Sequence, residues 1–352
     1  MELNLKNIQW GEFELGKIFE IENCKCSNIS LLKVGTMPYV GATNRNNGVL
    51  KFVKPIDNLI SKGNCIAFIC DGEGSVGYSI YKEEDFIGST TVKVGRNKYL
   101  NKYVASFIIT LADTVRSKYN FGFKRNELHL KKEKVLLPKT INGEPDYYFM
   151  EQFMKQKEIE KILKFKSFII KKIEKVKDYK LKEQFEQKKW GEFKITDLFK
   201  YEKGDQNNMA TIKKGKTPLI SAKKGDNGYK DFATQSNKKL FNKNSLTLNN
   251  DGDGGAGISY YQPNEYLLDS HVTALYSKDK LNKNILLFFS RCITAQRKKF
   301  GHGYSITNNR LNAFKIMLPL DKTNNPDYDF MENYIKKIEF EKLNKYLQRI
   351  NG

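Results

Sequence analysis

Histidine is nearly missing from this 352-residue chain, which has only His129, His271 and His302. Acid–base and nucleophilic catalysis lean on histidine more than on any other side chain, so its scarcity argues against a triad-type active site. Cysteine is scarce and odd in number, at Cys24, Cys26, Cys65, Cys70 and Cys292. That excludes a disulfide framework and fits a reducing compartment. Neither Cys24-x-Cys26 nor Cys65-x4-Cys70 has zinc-ligand spacing, so no metal site is expected. The longest apolar runs, 65–70 and 285–289, fall far short of the roughly 20 residues of a membrane-spanning helix. The opening Met1-Glu2-Leu3-Asn4-Leu5-Lys6 lacks the charged-then-apolar layout of a signal peptide. These absences lead us to expect a cytoplasmic protein with no membrane partner.

Acidic residues are also under-represented. Forty Asp+Glu face 61 Lys+Arg, a formal net charge of +21. With 39% hydrophobic and 12% aromatic residues the chain has too much core-forming material for a disordered basic tail. A folded, cationic protein large enough for two domains points first to a polyanionic partner. Lysine-rich coding bias is the competing explanation of the charge.

What the chain does have, it has twice. Trp10-Gly11-Glu12-Phe13 returns as Trp190-Gly191-Glu192-Phe193. Pro38, Ala42, Asn47 and Gly48 return 180 positions later as Pro218, Ala222, Asn227 and Gly228. Asp71-Gly72-Glu73-Gly74-x-x-Gly77 returns as Asp251-Gly252-Asp253-Gly254-x-x-Gly257, each followed by a tyrosine, Tyr81 or Tyr261. The offset then becomes 181: Pro138 matches Pro319, and Pro145-Asp146-Tyr147 matches Pro326-Asp327-Tyr328. One inserted residue is what a surface loop tolerates. A period this long is a domain duplication rather than a solenoid.

Each copy opens with β-branched and aromatic runs punctuated by Gly, Asn and Asp, such as 64–70, 90–94, 245–248 and 271–276, which read as strands. Short helices are expected at 103–114 and 285–297. Each copy closes with a helix opening at a Pro-Asp pair, where proline suits the first turn and aspartate caps it. From Asp146 to about Lys188 there is no Gly or Pro, and Ile159, Ile162, Phe165, Ile169, Ile173 and Val176 recur at helical spacing. Roughly 40 residues at 1.5 Å each predict a rod about 60 Å long. The second helix offers Phe330, Tyr334, Ile338, Phe340, Leu343 and Leu347. We expect an α+β protein: two mostly-β domains separated by two long helices packed as an antiparallel coiled coil. The alternative is that each helix folds onto its own domain. Residues 155–189 hold 13 lysines against 6 acids, whereas from residue 327 onward 5 basic residues balance 5 acids.

Several motifs mimic active sites. Ala210-x4-Gly215-Lys216-Thr217 fits a permissive phosphate-binding loop, but that mechanism needs a helix to begin there and Pro218 disfavours it. Asn324-Asn325-Pro326-Asp327-Tyr328 is similar to the base-holding loop of adenine methyltransferases, without a glycine-rich cofactor loop before it. Helix entrance is the better reading. Asp71/Glu73 and Asp251/Asp253 are paired carboxylates that could hold Mg²⁺ for phosphodiester chemistry. No third ligand is visible, and Asp-Gly is a strong turn signal.

The duplicated unit carries a resemblance. Trp-Gly-Glu-Phe is followed by Leu15–Phe19 or Ile195–Phe199. Then come Pro-x-x-x-Ala, Asn-Gly, the glycine-rich turn, Leu-Pro and the long helix. The unit resembles the DNA-specificity subunit of type I restriction–modification systems and the similar type IIB specificity subunit. The resemblance implies target recognition domains at residues 1–144 and 190–325, and spacer helices at 145–189 and 326–352. It implies a non-catalytic subunit that reads a bipartite duplex target, docks two adenine methyltransferase subunits and works with a nuclease subunit or a fused nuclease–methyltransferase. S-adenosylmethionine and Mg²⁺ would sit on the partners, with no cofactor in this chain.

The copies share glycines, prolines and aromatics but differ in polar loop residues. We therefore expect DNA contacts from Asn44, Arg45, Asn46, Lys118, Lys124 and Arg125 in the first copy. In the second we expect them from Lys223, Lys224, Lys298, Lys299, His302, Tyr304 and Ser305. Partner contacts are expected on Ile159, Ile162, Ile169, Ile173 and Val176, and on Tyr334, Ile338 and Leu343. Two unlike readers predict an asymmetric target. A Mg-dependent nuclease and a protein-interaction scaffold stand as the alternatives.

Overall fold

The computed structural model describes residues 3–72, 74–119, 124–181, 183–206, 212–235, 238–252, 255–301 and 303–351. Glu73, Asp253 and His302, Ala210, and residues 120–123 lie outside the described residues. The chain divides into two units, residues 1–164 and 165–352.

In the first unit the strands are β1 (Trp10–Glu14), β2 (Glu20–Asn23), β3 (Val34–Val40), β4 (Val49–Val53), β5 (Ile60–Ser61), β6 (Cys65–Ile69), β7 (Ser79–Lys82), β8 (Phe86–Gly88), β9 (Val92–Arg96) and β10 (Lys134–Pro138). The helices are α1 (Leu15–Ile18), α2 (Lys102–Ala112) and α3 (Glu127–Lys132), with α4 (Tyr147–Glu174) running past the boundary. Among the described residues three sheets form, in the orders β2-β9-β6-β7, β4-β3-β8-β5 and β1-β10.

The second unit repeats this plan. Its strands are β11 (Trp190–Lys194), β12 (Phe199–Lys203), β13 (Lys214–Ile220), β14 (Tyr229–Ala233), β15 (Ser245–Asn249), β16 (Ser259–Gln262), β17 (Leu267–Leu268), β18 (Val272–Ser277) and β19 (Lys315–Pro319). Its helices are α5 (Ile195–Leu198), α6 (Lys283–Ala295), α7 (Asn308–Asn312) and α8 (Tyr328–Asn351). The sheets are β12-β18-β15-β16, β14-β13-β17 and β11-β19.

The repeated motifs are the joints of this plan. Trp10 pairs with Pro138 in the antiparallel β1–β10 register, and Trp190 with Pro319 in β11–β19. The Trp-Gly-Glu-Phe and Leu-Pro signatures are thus the two sides of one strand pair. Each tryptophan also stacks on the central helix of its unit, Trp10 on Phe107 at 6.4 Å and Trp190 on Phe288 at 6.2 Å. Those helices are capped alike: Asn101 accepts from the Tyr103 and Val104 amides, and Asn282 from Asn284 and Ile285. Their apolar faces, with Phe107 and Ile108 in one and Phe288 and Phe289 in the other, fill the main cores. The Pro-Asp pairs do open helices, since Asp146 Oδ1 accepts from the Phe149 amide and Asp327 Oδ1 from Phe330, both at 2.9 Å.

A second shared joint is an asparagine at positive φ before the central strand, Asn64 at +47° and Asn244 at +54°. Asn64 Oδ1 accepts from Tyr81 and its amide donates to the Leu100 carbonyl; Asn244 does the same with Tyr261 and Leu281. The tyrosine that follows each glycine-rich turn is therefore a scaffold residue. Asn244→Ala removes two hydrogen bonds and places a poor residue in the left-handed region. It should cost roughly 1–3 kcal/mol, read as a lower denaturant midpoint at unchanged slope.

Gly215-Lys216-Thr217, the end of the phosphate-loop look-alike, lies within strand β13. Its glycine has another purpose. A Cβ on Gly215 would lie 2.3 Å from the Thr234 amide, and one on Gly35 2.4 Å from Lys54, so both copies need glycine where the hairpin strands touch.

One expectation fails. The first long helix stops at Glu174 after 28 residues, about 42 Å, rather than running to Lys188. The chain leaves helical geometry to make tertiary contacts within the second unit. Tyr179 packs on Phe340 at 5.6 Å, the Lys180 amide donates to Asn333 Oδ1, and Leu181 and Phe185 join the core. A stretch free of Gly and Pro permits a helix but does not oblige one.

Candidate nucleic-acid interface

Three loops meet in the first unit. The β3–β4 loop holds Asn44, Arg45 and Asn46; the glycine-rich loop follows β6; the third runs from α2 towards α3 and holds Lys118, Lys124 and Arg125. A Cβ on Gly72 would lie 2.6 Å from the Ala42 Cβ, so the first two loops touch. A Cβ on Gly77, at φ +89°, would lie 3.0 Å from the Arg116 Cα, so the second and third touch. The Arg116 guanidinium lies 3.7 Å over the Tyr78 ring. Lys124 ties the third loop to Asp71 at 2.6 Å, and this lysine holds the Asp71 carboxyl below its ordinary range.

The second unit brings its loops together by the same contacts. Gly252 approaches Ala222, and a Cβ on Gly257 (φ +76°) would lie 2.9 Å from the Arg297 Cα. The buried Asn249 amide donates to the Lys223 and Gly255 carbonyls, and the Ile306 amide to the Asn250 carbonyl. Arg310 lies 3.7 Å over Tyr304 and donates to the Ser305 carbonyl.

The sequence-predicted residues fall on these loops with different freedom. Asn44, Arg45, Asn46, Lys118, Lys124, Lys224, Lys298, Lys299 and Tyr304 are exposed, and Lys223 and Ser305 half-buried. Lys223 is paired with Asp226. Asn46, at φ +49°, and Asp226, at +46°, hold left-handed positions that asparagine and aspartate tolerate.

Arg125 is a correction. It is 0% exposed and cannot reach a nucleic acid. Its guanidinium forms a two-pronged ion pair with Glu133, which also accepts from the Tyr119 hydroxyl at 2.7 Å. Burial and this carboxylate together push the Tyr119 phenol up. The 181-residue offset maps Tyr119, Arg125 and Glu133 onto Phe300, Ile306 and Phe314. In the second unit those three are apolar, with Phe300 and Phe314 edge-to-face at 5.0 Å. One site is thus filled by a polar triad in one unit and by hydrocarbon in the other.

Of the carboxylates considered for Mg²⁺, the two among the described residues are engaged otherwise. Asp71 is held by Lys124, and Asp251 bonds the His271 Nδ1 at 3.0 Å. Among the described residues no group of three His, Cys, Asp or Glu side chains could hold a metal ion. Sequence reasoning missed Arg116, Arg297, Arg310, Lys230 and His271 at these loops. The 181-residue offset pairs Arg116 with Arg297, a signal available in the sequence.

The helix residues divide. Ile169 and Val176 are buried, which corrects the expectation of partner contacts there, since a buried side chain offers no surface to a partner; Ile173, Ile338 and Leu343 are half-buried, and Ile159 and Ile162 are exposed at 58% and 43%. Tyr334 serves its own unit, against Phe185, Phe288 and Phe330 at 4.9–5.8 Å. No helix among the described residues is long and apolar enough to cross a membrane.

Comparison with known proteins fits this repeated plan. The type I restriction modification DNA specificity domain matches residues 7–166 and again 187–350. The specificity subunit S.BcgI of a type II restriction enzyme from Heyndrickxia coagulans is 26% identical over 339 residues, 94% of this chain and 95% of that protein. The crystal structure of the S subunit of a type I restriction-modification system from M. genitalium superposes with a TM-score of 0.56 at 14% identity, covering 100% of this chain and 94% of that one. With one domain matched twice along nearly the whole chain, and the same loops assembled twice in its structure, the protein belongs to the family of type I restriction modification DNA specificity domains.

Proposed function

We propose that this chain is the non-catalytic DNA-reading subunit of a cytoplasmic restriction–modification complex and recognises an asymmetric, bipartite duplex target. Each unit reads one half. The observation that carries this reading is the three-loop assembly, built twice on the same scaffold contacts with different polar side chains on it. Asn44, Arg45, Lys118 and Lys124 of one unit correspond in sequence to Lys224, Gly225, Lys299 and Ser305 of the other. Exposed lysines suit phosphates, and Asn and Arg suit adenine and guanine edges.

The spacer helices, with exposed Ile159 and Ile162, would dock two adenine methyltransferase subunits. A nuclease subunit or a fused nuclease–methyltransferase would complete the complex. S-adenosylmethionine and Mg²⁺ would be held by those partners. A place in a restriction–modification complex is supported by the family and by the names of the similar proteins, a specificity subunit of a type II restriction enzyme and an S subunit of a type I restriction-modification system.

Footprinting the assembled complex on duplex DNA tests the reading. Two protected patches with an unprotected gap are expected. One continuous patch would contradict the bipartite reading, and cleavage by the purified chain with Mg²⁺ alone would favour the nuclease alternative.

A further inference from the structure

The loops of the second unit enclose an open concavity of about 620 Å³ that sequence reasoning did not single out. It is lined by Ser221, Lys223, Lys230, Asp251, Asp269 and His271, with Ala222 and Gly252. Its charged groups come from three elements: Lys223 and Lys230 from the β13–β14 hairpin, Asp251 from the loop after β15, and Asp269 and His271 from the segment before β18.

The His271 side chain is held by Asp251, and its backbone by two further hydrogen bonds. Both Asp251 carboxylate oxygens approach its Nδ1, at 2.9 and 3.0 Å. Its own amide donates to Asp269 Oδ1 at 2.8 Å, and its carbonyl accepts from the Asn250 amide at 2.9 Å. The ring is nonetheless 62% exposed. Fixing Nδ1 leaves Nε2 as the working atom. Of the two flanking lysines Lys230 is exposed and Lys223 is half-buried and paired with Asp226; the point charge of a lysine suits phosphate contacts that position without specifying. An imidazole locked by a second residue suits the opposite task, a single directed bond to a base edge.

We infer that His271, oriented by Asp251, is a specificity-determining residue of the second unit, donating from Nε2 to the acceptor edge of a guanine in the major groove. Guanine offers two adjacent acceptors there, N7 and O6. This inference rests on the proposed reading of DNA by these loops. The Asp251 carboxylate raises the proton affinity of the ring, so the imidazolium donor persists to higher pH than in a free histidine. Binding of the second half-site should therefore be strongest at low pH and weaken as pH rises through the His271 titration. Among the described residues the first unit has no such element, because its matching position is Thr91, bonded to Ser89, and its Asp71 is taken by Lys124. The pH dependence should be confined to one half of the target.

The first unit also supplies a fold-compatible variant, His271→Thr. The test is methylome sequencing of cells expressing the full chain with its neighbouring subunits, comparing wild type, His271→Thr and Asp251→Asn. We expect His271→Thr to relax the methylated motif at one position of one half, tenfold or more in preference, with the other half unchanged. Asp251→Asn should weaken the same position. A motif unchanged in both variants overturns the inference, as does uniform loss across sequences with a salt dependence reduced by about one contact, which would mark a phosphate contact. A wild-type complex with no motif would instead overturn the DNA-reading function itself.

Discussion

Arg125→Ala is expected to destabilise the first unit by about 3–5 kcal/mol, the cost of leaving a buried carboxylate without its cation. Glu133 would keep only the Tyr119 hydroxyl, and the Tyr78 carbonyl and Ser79 hydroxyl would lose the weaker bonds they receive from Arg125. Domains are stable by only about 5–15 kcal/mol, so this is a large fraction of the margin. Denaturant unfolding should show the loss in the transition of the first unit alone. The second unit states the remedy, because it builds the same site from Phe300, Ile306 and Phe314. Replacing a buried ion pair by well-packed hydrocarbon is often neutral or stabilising. The triple variant Tyr119→Phe, Arg125→Ile, Glu133→Phe should recover most of the stability that Arg125→Ala loses. A loss below 1 kcal/mol for Arg125→Ala would contradict a structural role.

The second large effect concerns salt. The net charge of +21 becomes informative once exposed lysines are found on the same loops: Lys118 and Lys124 in one unit, Lys224, Lys298 and Lys299 in the other. A surface making six to ten phosphate contacts loses about 10³–10⁵ in affinity between 50 and 200 mM salt. We expect the complex to show that slope on its target duplex. An isotherm indifferent to salt would mean the charge is coding bias, and would favour the scaffold alternative.

Much of the fold was legible in the sequence because duplication marks what the fold needs. Trp10 and Pro138 recur as Trp190 and Pro319 since each pair shares one register position. Asp146 and Asp327 recur because each caps a helix. The site was legible only in part. That Gly72 meets Ala42 and Gly77 meets Arg116 is a fact of tertiary packing that no spacing rule supplies. Arg125 was misread for the same reason: a basic residue in a polar loop looks exposed until its carboxylate, eight positions on, is seen buried with it. The length of α4 was misread because propensity ignores contacts such as Lys180 to Asn333, which reward leaving the helix.

The central claim is that each unit reads its own half of the target. Replacing residues 190–325 with a copy of residues 10–144 gives a chain that carries the first reader twice on unchanged helices. Methylome sequencing of cells expressing that chain with its partner subunits should return a target whose second half has become a repeat of the first. A motif identical to that of the wild type would contradict the account.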